Sequence, residues 1–94
     1  MAASNRIHVK VKAFGMLSEL TRDRVELNEH ATIRDYFGAA LKANPRLTKI
    51  IIDPDTNEAS AGICTVVNGS PVDKLEWELA DGDELTFFIG VGGG

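Results

Sequence analysis

Few residues of this 94-residue sequence combine types and spacing that suit chemistry, and the strongest set is the last three, Gly92, Gly93 and Gly94. They follow closely on the apolar run Leu85-Thr86-Phe87-Phe88-Ile89, which reads as a closing strand. Glycine has no Cβ and accepts backbone angles closed to other residues, so such a tail can thread a narrow channel and present its carboxylate to a partner's active site. Gly94 is the expected reacting group, with Gly92 and Gly93 as the threading segment. The plain alternative is a frayed terminus with no role. A carboxylate is anionic and resonance-stabilised, and it accepts a new group only after one oxygen has been turned into a leaving group.

Other chemical candidates are poorer. His8 and His30 have no nucleophile pattern near them in sequence and read as solvated surface residues. Cys64 stands in the apolar stretch Ile63-Cys64-Thr65-Val66-Val67, where a buried, inert thiol is expected. Asp81-Gly82-Asp83 holds two carboxylates, but no ligand-rich loop extends it, so it reads as a turn and no metal is expected. Gly90-Val91-Gly92-Gly93-Gly94 lacks the Lys and Ser/Thr of a phosphate loop, and no helix follows to bind an anion.

The elements that must position the tail belong to a single domain spanning residues 1–94, with 90–94 as its functional tail. A chain of this length builds one core but not a deep catalytic cleft as well, so elaborate chemistry falls to a partner. A hydrophobic fraction of 44% with 26% charged residues is that of an ordinary globular protein. The formal charge of -4 opposes a phosphate-backbone ligand, and no nucleic acid is expected. One cysteine excludes an internal disulfide and suits a reducing, cytoplasmic setting. No apolar run approaches the ~20 residues that span a bilayer, and the first six residues lack the apolar segment of a signal peptide, so no membrane partner is expected.

Ile7-His8-Val9-Lys10-Val11-Lys12-Ala13 alternates with period two and predicts a half-buried strand. After a turn at Met16-Leu17-Ser18-Glu19-Leu20, Arg24–Asn28 alternates again as its hairpin partner. Thr32 and Asp35 form a capping pair for a helix whose apolar face carries Ile33, Tyr36, Phe37, Ala40 and Leu41, with Pro45 at its end. Ile50-Ile51-Ile52 is a short apolar run halted by Asp53-Pro54-Asp55 and takes no firm element. Ile63–Val67 is a strand ending in the Asn68-Gly69 turn, a short arm follows through Pro71 and Val72, and Glu84–Ile89 closes the domain. The order predicts an α+β fold: a mixed sheet crossed by one main helix, with the first and last strands side by side at its centre. That is the β-grasp, or ubiquitin-like, arrangement.

Taken together, the motifs resemble the MoaD/ThiS group of ubiquitin-like sulfur carriers, and most of all its molybdopterin synthase small subunits. The resemblance rests on Val9–Phe14 with Leu17-Ser18-Glu19-Leu20, on Ala31–Asp35, on Val66-Val67-Asn68-Gly69, on Leu79–Leu85 and on the ending Phe87–Gly94. It departs from the family at Ile89-Gly90, which stand where Pro-Pro is usual; glycine there predicts a more mobile tail.

The resemblance implies that the chain is no enzyme by itself and binds no cofactor. A ubiquitin-activating-type enzyme would use ATP to adenylate Gly94, and a sulfur donor protein would supply the sulfur of a thiocarboxylate. A large molybdopterin synthase subunit would then receive the tail during molybdenum cofactor biosynthesis. Five residues from Gly90 to Gly94 extend roughly 17 Å at ~3.3 Å each. Phe14 and Phe88 fall on the strand faces opposite the core and are candidate partner-binding residues with Val91, though either ring under a loop would be ordinary core. Two alternatives stand beside the carrier: a ubiquitin-like modifier conjugated through Gly94 to lysines, and a carrier for thiamine synthesis or tRNA thiolation. A plain interaction module with an incidental tail is a third.

Overall fold

Alternation along the first strand decides which way it faces. In the computed structural model, which describes residues 5–90, β1 (Arg6–Ala13) buries Ile7, Val9, Val11 and Ala13 on one side and leaves His8, Lys10 and Lys12 on the other. Phe14 and Gly15, the latter at φ +64°, turn the chain into a 3-10 helix (Gly15–Leu20), where the sequence predicts only a turn. Leu17 and Leu20, three apart, are its buried residues, as a three-residue repeat requires. β2 (Arg22–Asn28) returns antiparallel to β1 and begins two residues before its periodicity does. The register shifts between Val9 and Val11, and the Thr21 hydroxyl closes the hairpin by accepting from Ala13 N at 3.1 Å and donating to Ala13 O at 3.0 Å. A side chain thus replaces a rung of the ladder.

The main helix α1 (Ile33–Ala43) starts with the expected capping box: Thr32 Oγ1 accepts from Asp35 N, and the Asp35 carboxylate accepts from Thr32 N. Two further N-terminal donors are met by the segment 75–77, because Ile33 N donates to Trp77 O and Arg34 N to Leu75 O. Arg34 ties the same region together, donating to Glu76 at 2.6 Å, to Glu58 at 3.1 Å and to the Asn57 carbonyl at 2.6 Å. Ile33, Tyr36, Phe37 and Leu41 form the buried face.

The apolar run at Ile50-Ile51-Ile52 is where the structure adds most to the sequence. Thr48–Ile51 forms α2, a single helical turn after a 3-10 turn at Pro45–Leu47, and Ile52 bridges Ala59. Leu47 and Ile51, four apart, share one face and are both buried, so helical spacing overrides the β preference of Ile50 and Ile51, while Ile52 keeps an extended backbone. β3 (Ile63–Val67), β4 (Ser70–Val72) and β5 (Glu84–Ile89) complete a five-stranded sheet in the order β2-β1-β5-β3-β4. β5 lies parallel to β1, with Val11 opposite Leu85 and Ala13 opposite Phe87, and antiparallel to β3. Phe87 meets α1 in an aromatic cluster, 5.2 Å from Phe37 and 6.0 Å from Tyr36 between ring centroids. The layers, the helix and the central pairing are those of the predicted β-grasp.

Because Phe37 is 1% exposed and packs on Phe87, Phe37→Ala will cost about 3–5 kcal/mol in urea unfolding. A second outcome concerns His30, whose Nδ1 lies 2.7 Å from Glu78. The hydrogen bond to Glu78 and then the charges of Glu78 and Glu29 raise its pKa above the usual 6.5. The contact therefore stabilises fully below the unfolded value and is lost as pH rises through the folded one. His30→Asn, which tolerates the φ of +70° here, will lower Tm slightly in acid, with the difference closing as the medium becomes alkaline.

Candidate functional site

The tail leaves from a strand held on both sides. β5 is flanked by β1 and β3, and its last paired residue, Ile89, lies opposite Ile63. Beyond it Gly90 N donates to Gly62 O at 2.6 Å, which extends the β3 ladder by one more step. A Cβ on Gly90 would stand 3.2 Å from Cys64 Sγ and 3.4 Å from Gly62 O. The position thus demands a small residue with a free N–H, and proline could supply neither the donor nor the space. Glycine in place of the family's proline predicts looseness, yet at Gly90 itself the backbone is anchored. Val91, Gly92, Gly93 and Gly94, to which the sequence assigns docking, threading and reaction, lie outside the described residues.

Phe14 and Phe88 do come together. They line one shallow apolar concavity with Gly15, Met16 and Ile89, directly beside the point where the tail departs. Phe14 is 53% exposed and Met16 61%, which settles the choice between patch and core for Phe14. Phe88 is half-buried, less open than strand alternation predicts, because it also walls a second concavity formed with Cys64, Val66, Pro71 and the chain around Ser60.

Sequence reading missed Met16 and Ile89. For Met16 the signal was available, since burying Leu17 and Leu20 on a 3-10 turn pushes Met16 outward. Ile89 shares the strand parity of the buried Leu85 and Phe87, yet it is 39% exposed, because the aromatic contacts with α1 involve Phe87, two residues earlier.

Cys64 differs from its expectation. The core-facing parity of β3 belongs to Thr65 and Val67, so Cys64 is half-exposed on the open face, paired with Phe88 and adjacent to Gly90. Asp81 and Asp83 act as turn carboxylates: Asp81 accepts from His8 N at 2.8 Å, and Asp83 accepts from Ala80 N and Asn68 Nδ2, each at 2.8 Å. Gly82 sits between them at φ +87°. Among the described residues no group of three His, Cys, Asp or Glu could hold a metal, and no helix is long and apolar enough to cross a membrane. His8 lies near Asp81, just before the start of β5 and so at the opposite end of that strand from Gly90, and His30 lies near Glu78.

A five-stranded mixed sheet crossed by one helix, with the first and last strands parallel at its centre, defines a ubiquitin-like β-grasp protein. The model of the ThiS family matches residues 11–94, and the chain belongs to this family of ubiquitin-fold sulfur carriers and modifiers. The crystal structure of SAMP1 from Haloferax volcanii is similar at 30% identity and a TM-score of 0.73, over 93% of this chain and 99% of that one. The solution structure of small archaeal modifier protein 1 from Methanosarcina acetivorans is similar at 25% identity and a TM-score of 0.72, covering 96% and 99%. A Pyrococcus furiosus protein provisionally assigned as molybdopterin converting factor subunit 1 is similar at 30% identity and a TM-score of 0.66, covering 90% and 99%. No curated protein matches the sequence.

The crowding at Gly90 gives a double-mutant test. Gly90→Ala will destabilise by about 1–2 kcal/mol through overpacking against Cys64, and Cys64→Ala will relieve part of that cost, a coupling read by urea unfolding of the four proteins. Strict additivity would mean that Cys64 is not the group in the way.

Proposed function

We propose that this chain is a sulfur carrier, the small subunit of a molybdopterin synthase. In this reading the Gly94 carboxylate is adenylated by a ubiquitin-activating-type enzyme that uses ATP, a sulfur donor protein converts it to a thiocarboxylate, and the large synthase subunit takes up the tail and uses the sulfur for molybdenum cofactor synthesis. The chain is a substrate-like subunit, not a catalyst. It binds no cofactor, and the setting is cytoplasmic.

The observation that carries the reading is the exit of the tail at Gly90 from a central, doubly paired strand, beside the apolar patch of Phe14, Met16, Phe88 and Ile89. A rigid strand fixes where the tail starts, and the patch supplies the anchor that lets a partner hold it in register. The family's sulfur-carrier character and the similarity to the Pyrococcus furiosus protein support the molybdopterin assignment. A second reading, a modifier joined through Gly94 to lysines, is favoured by the 30% identity to SAMP1, a small archaeal modifier protein. Both share the adenylate, and the acceptor separates them.

Removing Gly94, or extending the chain past it, will abolish sulfur loading by an activating enzyme and sulfur donor in vitro while leaving Tm within about 2 °C, because a glycine has no side chain to bury. Loading that survives a blocked C-terminus would sink the proposal. Phe14→Ala and Phe88→Ala will each weaken binding to the large subunit by about 1–3 kcal/mol, measured by calorimetry, if they anchor the interface.

A further inference from the structure

One atom of the apolar patch beside the tail can be turned polar by simple chemistry. The patch is lined by Phe14, Gly15, Met16, Phe88 and Ile89, and among these described residues the thioether of Met16 is the only side-chain heteroatom. Aliphatic and aromatic hydrocarbon side chains resist mild oxidants, whereas a thioether takes up oxygen. Met16 is also the most accessible of the large apolar residues there, at 61% exposed against 53% for Phe14 and 39% for Ile89.

The fold holds Met16 in that position. Gly15 starts the 3-10 helix, Leu17 N donates to Phe14 O at 3.2 Å across its first turn, and Thr21 N donates to Ser18 O at 3.0 Å across its last. Leu17 and Leu20, 0% and 3% exposed, clamp that helix to the core, and Met16, one residue before Leu17, is directed outward. Its exposure thus follows from packing. Cys64, the chain's one thiol, is half-exposed, but a thiol reacts through its thiolate, whereas a thioether needs no ionisation to be oxidised.

We propose that Met16 is a modification site: hydrogen peroxide oxidises its thioether to the sulfoxide, and the sulfoxide weakens the hold of a protein partner on the tail-side patch. In the step a sulfur lone pair attacks one peroxide oxygen, and the O–O bond breaks as the S–O bond forms. The departing hydroxide takes the proton from the transferred oxygen and leaves as water. Sulfur is oxidised by two electrons and the peroxide is reduced by two. The new S–O dipole is a strong acceptor, and Phe14, Phe88 and Ile89 offer it no side-chain donor. A partner that covers the patch must then strip water from an unpaired polar group, which weakens binding. The fold is spared, because Met16 lies outside the buried core. The effect on binding rests on reading this patch as the partner's anchor; the oxidation itself does not.

The test treats the full, untagged chain with hydrogen peroxide and follows it by peptide mapping, thermal unfolding and calorimetry against a large molybdopterin synthase subunit. Oxygen on Met16 and sulfur on Gly94 add nearly equal mass, so the peptides and not the intact mass assign them. Met16 is expected to oxidise within about threefold of the rate of free methionine, and equally in mildly acid and mildly alkaline solution. Tm will move by no more than about 2 °C, as for other surface changes, while Kd rises about tenfold. A thiol reductant alone will not restore affinity, since it reverses a sulfenic acid or disulfide at Cys64 but not a sulfoxide; methionine sulfoxide reductase will. Met16→Leu will keep its own Kd through the same treatment, and Met16→Gln will bind more weakly than the parent without any peroxide.

Protection of Met16 by more than about tenfold relative to free methionine would overturn the site. Equal Kd before and after oxidation, recovery with thiol alone, or a loss of affinity in peroxide-treated Met16→Leu would each overturn its part in binding. An untreated parent that fails to bind the large subunit would instead sink the docking of the carrier, and the binding half of this proposal with it.

Discussion

The parallel pairing of β1 with β5 is the constraint from which the rest of the structure follows. It joins the first strand to the last across most of the chain, so the intervening elements must be accommodated as one long crossover that carries α1 onto one face of the sheet. Val11, Ala13, Leu85 and Phe87 meet in that pairing and are 4% exposed or less, which makes it the middle of the core as well as of the sheet. Closing so long a loop is entropically costly, and burial of this apolar pair of strands against Tyr36 and Phe37 offsets it.

Function inherits its geometry from the same pairing. Because the strands run in the same direction, the end of β1 and the end of β5 lie at one edge of the sheet, and Phe14 comes beside Phe88 and Ile89 where the tail begins. An antiparallel arrangement would have sent the tail to the opposite end, away from the aromatic patch. Gly90 then marks the boundary between a fixed strand and the glycine-rich ending. Its N–H on Gly62 O adds one anchored residue to the strand, a contact that the family's usual proline could not make.

Where a single periodicity dominated, the fold was legible in the residues. The alternation of Ile7 to Ala13, the Thr32–Asp35 capping box and the Asn68-Gly69 and Asp81-Gly82-Asp83 turns each encode one local answer, and each element formed as read. Ile50-Ile51-Ile52 was not legible, because three β-branched residues favour a strand locally, whereas burial of Ile51 with Leu47 puts Ile50 and Ile51 in a helical turn and only Ile52 is extended. Cys64 was misjudged for a related reason. Parity tells which residues share a face but not which face the helix covers, nor where that cover ends. The apolar patch was half legible, as Phe14 and Phe88, and Met16 completes it through a 3-10 geometry that short sequence windows signal weakly.

The central claim is that the chain carries sulfur on its terminal carboxylate. Intact mass spectrometry of the untagged protein from its native cells, isolated without hydrolysis, tests this most directly. A gain of about 16 Da localised to Gly94, where sulfur has replaced one oxygen, is the result expected. Unmodified protein together with larger species that carry its C-terminus on lysine would contradict the carrier and point to a modifier.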